Sequence, residues 1–145
     1  MSDVPQTFSD LLPSDRDNLD RARDWVKGHF TEAADEKYAP IDGKLRVIDT
    51  ILSQGWVDQG ETAKFQSLGV AFGDAIAQEL MMDWIVVDDE YGRSAALRWP
   101  GTTVICSPIT MISKRIEDGE TVDVYKLFDG ICASLREMAF SGRYV

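Results

Sequence analysis

Trp84-Ile85-Val86-Val87-Asp88, Ser94-Ala95-Ala96-Leu97-Arg98-Trp99 and Thr102-Thr103-Val104-Ile105-Cys106 follow one another closely. Only Asp89-Glu90-Tyr91-Gly92-Arg93 and Pro100-Gly101 separate them, and this stretch decides the fold. β-branched and apolar residues fit the pleated surface of a strand, whereas Asp, Gly and Pro in short links are turn chemistry. The spacing predicts a three-stranded antiparallel meander, because links this short join only antiparallel neighbours.

Immediately upstream the period changes from two to nearly four. Phe65, Leu68, Phe72, Ile76 and Leu80 keep helical spacing over residues 61–82. Gly69, Gly73 and Ala77, four apart, draw a seam of small residues along one side of that helix. A glycine inside a helix costs up to about 1 kcal/mol relative to alanine, so the seam predicts another backbone packed at short range.

Further out, Leu19, Ala22, Val26, Phe30 and Ala33 predict a helix over 15–38, with Ser14 as N-cap and a break at Gly28. Pro40 and Gly43 punctuate the chain before a short helix carrying Leu45, Ile48, Ile51 and Leu52, which Gly55 ends. Downstream, Ser107-Pro108 opens a helix through Ile109, Ile112 and Ile116, closed by Gly119. A last helix over 123–140 turns Val124, Leu127, Phe128, Ile131, Leu135 and Met138 inward. The expected class is therefore α+β: three N-terminal helices, a three-stranded antiparallel meander, and two C-terminal helices packed on the sheet. Residues 1–14, with Phe8, Leu11 and Leu12 between Pro5 and Pro13, are expected as an extended arm, and 15–145 as a single domain.

Composition narrows the function classes. The 145 residues carry 15 basic and 25 acidic side chains, a net charge of −10. Such a surface repels phosphate backbones and anionic lipids, so no nucleic acid and no membrane partner is expected. The N-terminal residues lack the basic and apolar regions of a secretory signal. Cys106 and Cys132 have apolar neighbours, as buried reduced thiols do, which points to a cytoplasmic protein. With His29 the only histidine and no CxxC or HExxH spacing, neither a metal site nor a cofactor is expected.

The segments Leu68-Gly69-Val70-Ala71-Phe72-Gly73-Asp74, Trp84 to Arg93, and Pro108-Ile109-Thr110-Met111-Ile112-Ser113-Lys114-Arg115 resemble an uncharacterised bacterial domain family over about residues 65–133. The resemblance supports the order of elements and implies no activity or catalytic residue.

Two polar constellations stand out. Asp88, Asp89, Glu90, Tyr91 and Arg93 at the first strand link, with Arg98 and Trp99 on the following strand, could hold a divalent cation through carboxylate oxygens. Strand alternation sends adjacent carboxylates to opposite faces, so a hairpin tip with cross-strand ion pairs is the commoner arrangement. Asp74 and Gln78, one turn apart on the long helix, share a face and could meet a ligand or form a buried polar link to the sheet. A buried Asp74 demands a cation, with Arg93, Arg98 or Arg115 as candidates.

The leading expectation is a small acidic protein that works by protein–protein interaction, in the manner of an adaptor or an immunity protein. Its partner is a basic protein, or a second copy in a homodimer. The alternative is a small-molecule or divalent-metal-dependent enzyme using the Asp88–Arg93 turn.

Overall fold

A computed structural model describes residues 6–145. Its centre is α4 (Thr62–Leu80), whose apolar positions are buried on almost every side. Phe72, Leu68 and Ile76 are fully enclosed. Around α4 pack α1 (Pro13–Lys27), α3 (Ile41–Ser53), α5 (Met111–Glu117) and α6 (Val124–Phe140), with the five-residue α2 (Ala34–Tyr38) between α1 and α3.

The seam does what its spacing requires. A Cβ on Gly69 would strike the Ile109 carbonyl oxygen, and one on Gly73 would lie 2.6 Å from both Pro108 Cγ and the Trp84 ring. The close neighbour is thus a 3-10 turn, Pro108–Thr110, together with one indole from the sheet.

The sheet has four antiparallel strands in the order β1-β2-β3-β4: Thr7–Ser9, Asp83–Asp89, Gly92–Arg98 and Ile105–Cys106. Register places Trp84 opposite Leu97 and Val86 opposite Ala95, with Leu97 in turn opposite Cys106; this face turns toward the helices. On the other face Phe8 pairs with Val87 and Ile85 with Ala96, and the Arg98 guanidinium lies 4.4 Å over the Phe8 ring. That cation–π contact covers apolar surface with the stem of a charged side chain.

The α+β class is as expected, and several details differ. The arm is not merely extended. Its Thr7–Ser9 stretch adds a fourth strand to the meander, because β2 offers a free edge and Phe8 an apolar side chain to lay on it. Pro5 lies outside the described residues. The helix expected over 15–38 does break at Gly28, where α1 ends, but α2 begins only at Ala34, so four helices rather than three precede β2. Pro13 occupies the first turn of α1, and the cap is made not by Ser14 but by Asp15, whose carboxylate accepts the Leu12 N–H at 2.7 Å. Gly43 does not break the chain. It sits inside α3, where the Lys37 carbonyl leaves no room for a Cβ. β4 is shorter than the stretch 102–106, since Thr102 N–H turns back to the Trp99 carbonyl.

The two C-terminal helices, expected on the sheet, pack instead on α4, because its small and apolar faces are the larger surface to cover; α6 also packs on α3, with Phe72 and Phe128 edge to face at 6.4 Å. It reaches the sheet at the β4 end, where Trp99 meets Phe140 and Thr103 N–H donates to the Tyr144 carbonyl. Cys132 of α6 and Cys106 of β4 are both free and buried. Burial pushes the Cys106 thiol up to about 12 and the Cys132 thiol up to about 11. Thiolate is the reactive form, so a disulfide-exchange reagent should label both cysteines in guanidinium and neither in the native protein within minutes. Fast labelling of the folded protein would contradict this packing.

Candidate functional site

Asp74 projects from α4 one residue beyond Gly73, where α1, α2 and β2 converge. Both of its oxygens are engaged. Arg23 of α1 donates through Nε to Oδ2 at 2.7 Å and through Nη2 to Oδ1 at 2.8 Å. The Tyr38 hydroxyl donates to Oδ2 at 2.6 Å and the Trp84 indole N–H to Oδ1 at 2.9 Å. Burial alone would raise this carboxyl, but the donors outweigh it and hold Asp74 below the usual carboxylate range. Burial, then the neighbouring carboxylate, pushes the Tyr38 phenol far up; the hydrogen bonds to Asp74 push Arg23 up as well. At neutral pH every proton in this cluster has one assigned place. The cation is Arg23, none of the three arginines proposed from sequence.

Gln78 lies one turn further along α4. Its Oε1 accepts from Lys44 Nζ at 2.7 Å, and the same ammonium donates to the Ala39 carbonyl at 2.7 Å and sits 4.9 Å over the Tyr38 ring. Lys44 is only 6% exposed, and its burial lowers its pKa. Asp74 and Gln78 are thus brought together with Arg23, Tyr38 and Lys44 as one polar junction joining α1, α2, α3, α4 and β2. Arg23, Tyr38 and Lys44 carry no pattern in the sequence, because their meeting depends on three separate loops.

The turn after β2 scatters its polar groups. Asp89 Oδ1 accepts the Tyr91 N–H at 2.9 Å, a local turn bond, while Glu90 and Tyr91 point into solvent, Tyr91 90% exposed. Asp88 stands opposite Arg93 in the ladder. The Arg93 guanidinium instead forms a bidentate pair with Asp15 of α1, at 2.6 and 2.5 Å. Those hydrogen bonds, with the Leu12 N–H, hold Asp15 down at about 2. Arg98 donates to the Thr102 carbonyl at 2.7 Å, and Trp99 packs on Phe140 at the opposite end of the strand. Among the described residues no group of three His, Cys, Asp or Glu side chains is placed to hold a metal ion.

Two clefts beside α4 have volumes suited to a ligand. The larger, about 640 Å³, opens between the C-terminal half of α3, the start of α4 and the loop from Gly119 to Asp123. Its floor is apolar: Ile51, Leu52, Val57, Phe65, Ile116 and Val122. Its rim carries Asp49, Glu120 and Asp123, and no lysine or arginine lines it. Among the described residues none of these three carboxylates makes an ion pair. Asp123 caps α6 by accepting the Lys126 N–H at 3.2 Å. The rim leaves no pattern in the sequence, because its acids come from separate segments.

The second cleft, about 570 Å³, lies between α1, α4 and β3, with the Asp15–Arg93 pair in its wall. Its remaining polar lining is uncharged: Asn18, Gln66, Ser67 and Ser94.

The fold is similar to that of a protein from Bacteroides thetaiotaomicron VPI-5482 whose crystal structure is known at 1.50 Å resolution, with a TM-score of 0.72 at 13% sequence identity. The match takes in 88% of this chain and 47% of that one, so this chain spans about half the length of its structural relative. No curated protein shows significant similarity to the sequence. A family model described as a domain of unknown function, DUF3806, matches residues 44–128, which takes in α3 through the first turns of α6 and largely overlaps the region of resemblance noted above. The chain belongs to the DUF3806 family.

Proposed function

We propose that this protein works by binding, and that it takes a basic, partly apolar segment of another protein into the acid-rimmed cleft between α3, α4 and the Gly119–Asp123 loop. The observation that carries the proposal is the pairing of an apolar floor with three carboxylates that make no ion pair among the described residues. An apolar side chain seated on Ile51, Val57 and Phe65 would gain about 25 cal/mol for each Å² removed from water. A lysine or arginine beside it would meet Asp49 and Glu120. A net charge of −10 adds steering, which raises the rate of encounter with a basic partner and makes it sensitive to salt. A second copy of the chain brings the same negative charge to the rim, which favours a basic partner over self-association. Buried, free Cys106 and Cys132 fit a reducing cytoplasmic setting.

The test uses a synthetic peptide of alternating leucine and lysine, titrated by calorimetry at low and high salt. Neutralising the rim as Asp49→Asn, Glu120→Gln and Asp123→Asn keeps the α6 cap, since asparagine caps as well as aspartate. This variant should bind the peptide roughly tenfold more weakly at low salt, a loss of about 1.4 kcal/mol. Neutralising Asp17, Asp24 and Glu36 elsewhere changes net charge equally and should cost far less. Equal losses from the two variants would reduce the effect to general charge and sink the proposal.

A further inference from the structure

We infer that the second cleft, between α1, α4 and β3, is a binding site for an uncharged, hydroxyl-rich ligand of the saccharide class. Among the described residues only Asp15 and Arg93 are charged in its lining, and they satisfy each other in a bidentate pair. An anion would have to pull Arg93 away and leave Asp15 facing a like charge. A cation would do the same to Arg93. A neutral ligand leaves the pair intact and uses the acceptor and donor capacity around it.

That capacity suits hydroxyls. The Asn18 and Gln66 side-chain amides each present a donor and an acceptor, and the Ser94 hydroxyl does both from one atom. Adjacent sugar hydroxyls offer the same mixed donor and acceptor edge. Between these polar groups Leu19, Val70 and Ile109 add apolar lining, which suits the C–H face of a pyranose ring. At about 570 Å³ the cleft falls within the ordinary range for small-ligand sites.

The cleft also has a continuation. A shallower trough between α1 and α4 shares Asn18, Ala22, Ala63 and Ser67 with it and ends at Trp25. Small residues keep the trough open, and a half-buried indole at its far end provides a flat apolar surface for a second ring. Two cations line the trough: Lys64 is already paired with Glu61, and Arg21 is exposed. The arrangement therefore suits a chain of sugars better than a single unit.

Titration of the ¹⁵N-labelled full chain with N-acetylglucosamine and with its linear trimer tests this. The side-chain amide signals of Asn18 and Gln66 and the backbone signals of Ser94 and Ala95 should shift with both. The trimer should bind roughly tenfold tighter and also move the Trp25 indole signal. Gln66→Ala should remove the response without lowering the melting temperature. The inference is overturned if neither saccharide moves these signals at tens of millimolar. It is equally overturned if sodium acetate or methylammonium moves them more strongly than the sugars, which would assign the cleft to a charged ligand.

Discussion

Asp74→Ala should lower the stability of this protein by about 3–5 kcal/mol, because it takes from the half-buried Arg23 the carboxylate that its Nε and Nη2 face, leaving only the exposed Asp20 as a partner. The substitution also leaves the Tyr38 hydroxyl and the Trp84 N–H without their acceptor, 2.6 and 2.9 Å away in the native protein. For a chain of this size such a loss corresponds to a drop of about 10 °C or more in melting temperature. Asp20 cannot take over the role. It accepts from Arg23 Nη1 at 3.0 Å on the exposed side of α1 and does not face the junction. Urea unfolding at neutral pH measures the effect directly.

The pH dependence has a definite sign. Asp74 is held below the ordinary carboxylate value, so its contribution is fully present above about pH 4, where the unfolded carboxyl ionises. It is lost as pH falls through the lower value of the folded state. Asp74→Asn should therefore flatten the acid limb of the stability curve as well as lowering its plateau. A gain in stability on this substitution would be the signature of a strained functional residue, and would remove the structural role assigned here.

Gly69→Ala is the second large effect, and it runs against helix propensity. Alanine is favoured over glycine in a helix interior by up to about 1 kcal/mol. At Gly69, however, a methyl group would enter the Ile109 carbonyl and lie 2.6 Å from its carbon and 2.7 Å from its Cα. Backbone cannot rotate away as a side-chain tip can, so the helix and the 3-10 turn must separate, at a cost of about 1–3 kcal/mol or more. Gly130→Ala in α6 supplies the internal control, since nothing lies within 4 Å of a Cβ there. Chemical denaturation should show Gly130→Ala stabilised and Gly69→Ala destabilised. Two changes of the same favourable sign would mean that α4 and the Pro108–Thr110 turn are not in contact.

These two positions also show what a sequence discloses. The Gly69–Gly73 spacing announced a close neighbour because local geometry leaves a periodic trace. The identity of that neighbour, a 3-10 turn some forty residues later, left none. The alternation and turn chemistry of 84–106 gave the meander, whereas the strand at Thr7–Ser9 is three residues long, below the length at which alternation can be recognised. Asp74 could be read as a buried residue in need of a cation. Its partner Arg23 could not be named, since Arg23 sits in a helix crowded with acids that would each satisfy it locally. The same limit hid both clefts. Asp15 and Arg93 are 78 residues apart in the chain, and Asp49, Glu120 and Asp123 meet only after α3, α5 and α6 have packed.

The most direct measurement of the binding proposal is a chemical-shift map of the ¹⁵N-labelled protein with the leucine–lysine peptide. The largest shifts should fall on Val57, Phe65, Ile116 and Val122, the floor of the acid-rimmed cleft, and should fade as salt is raised. Shifts spread evenly over the exposed acids of α1, or centred on the Asp88–Arg93 turn with the cleft unmoved, would contradict the proposal.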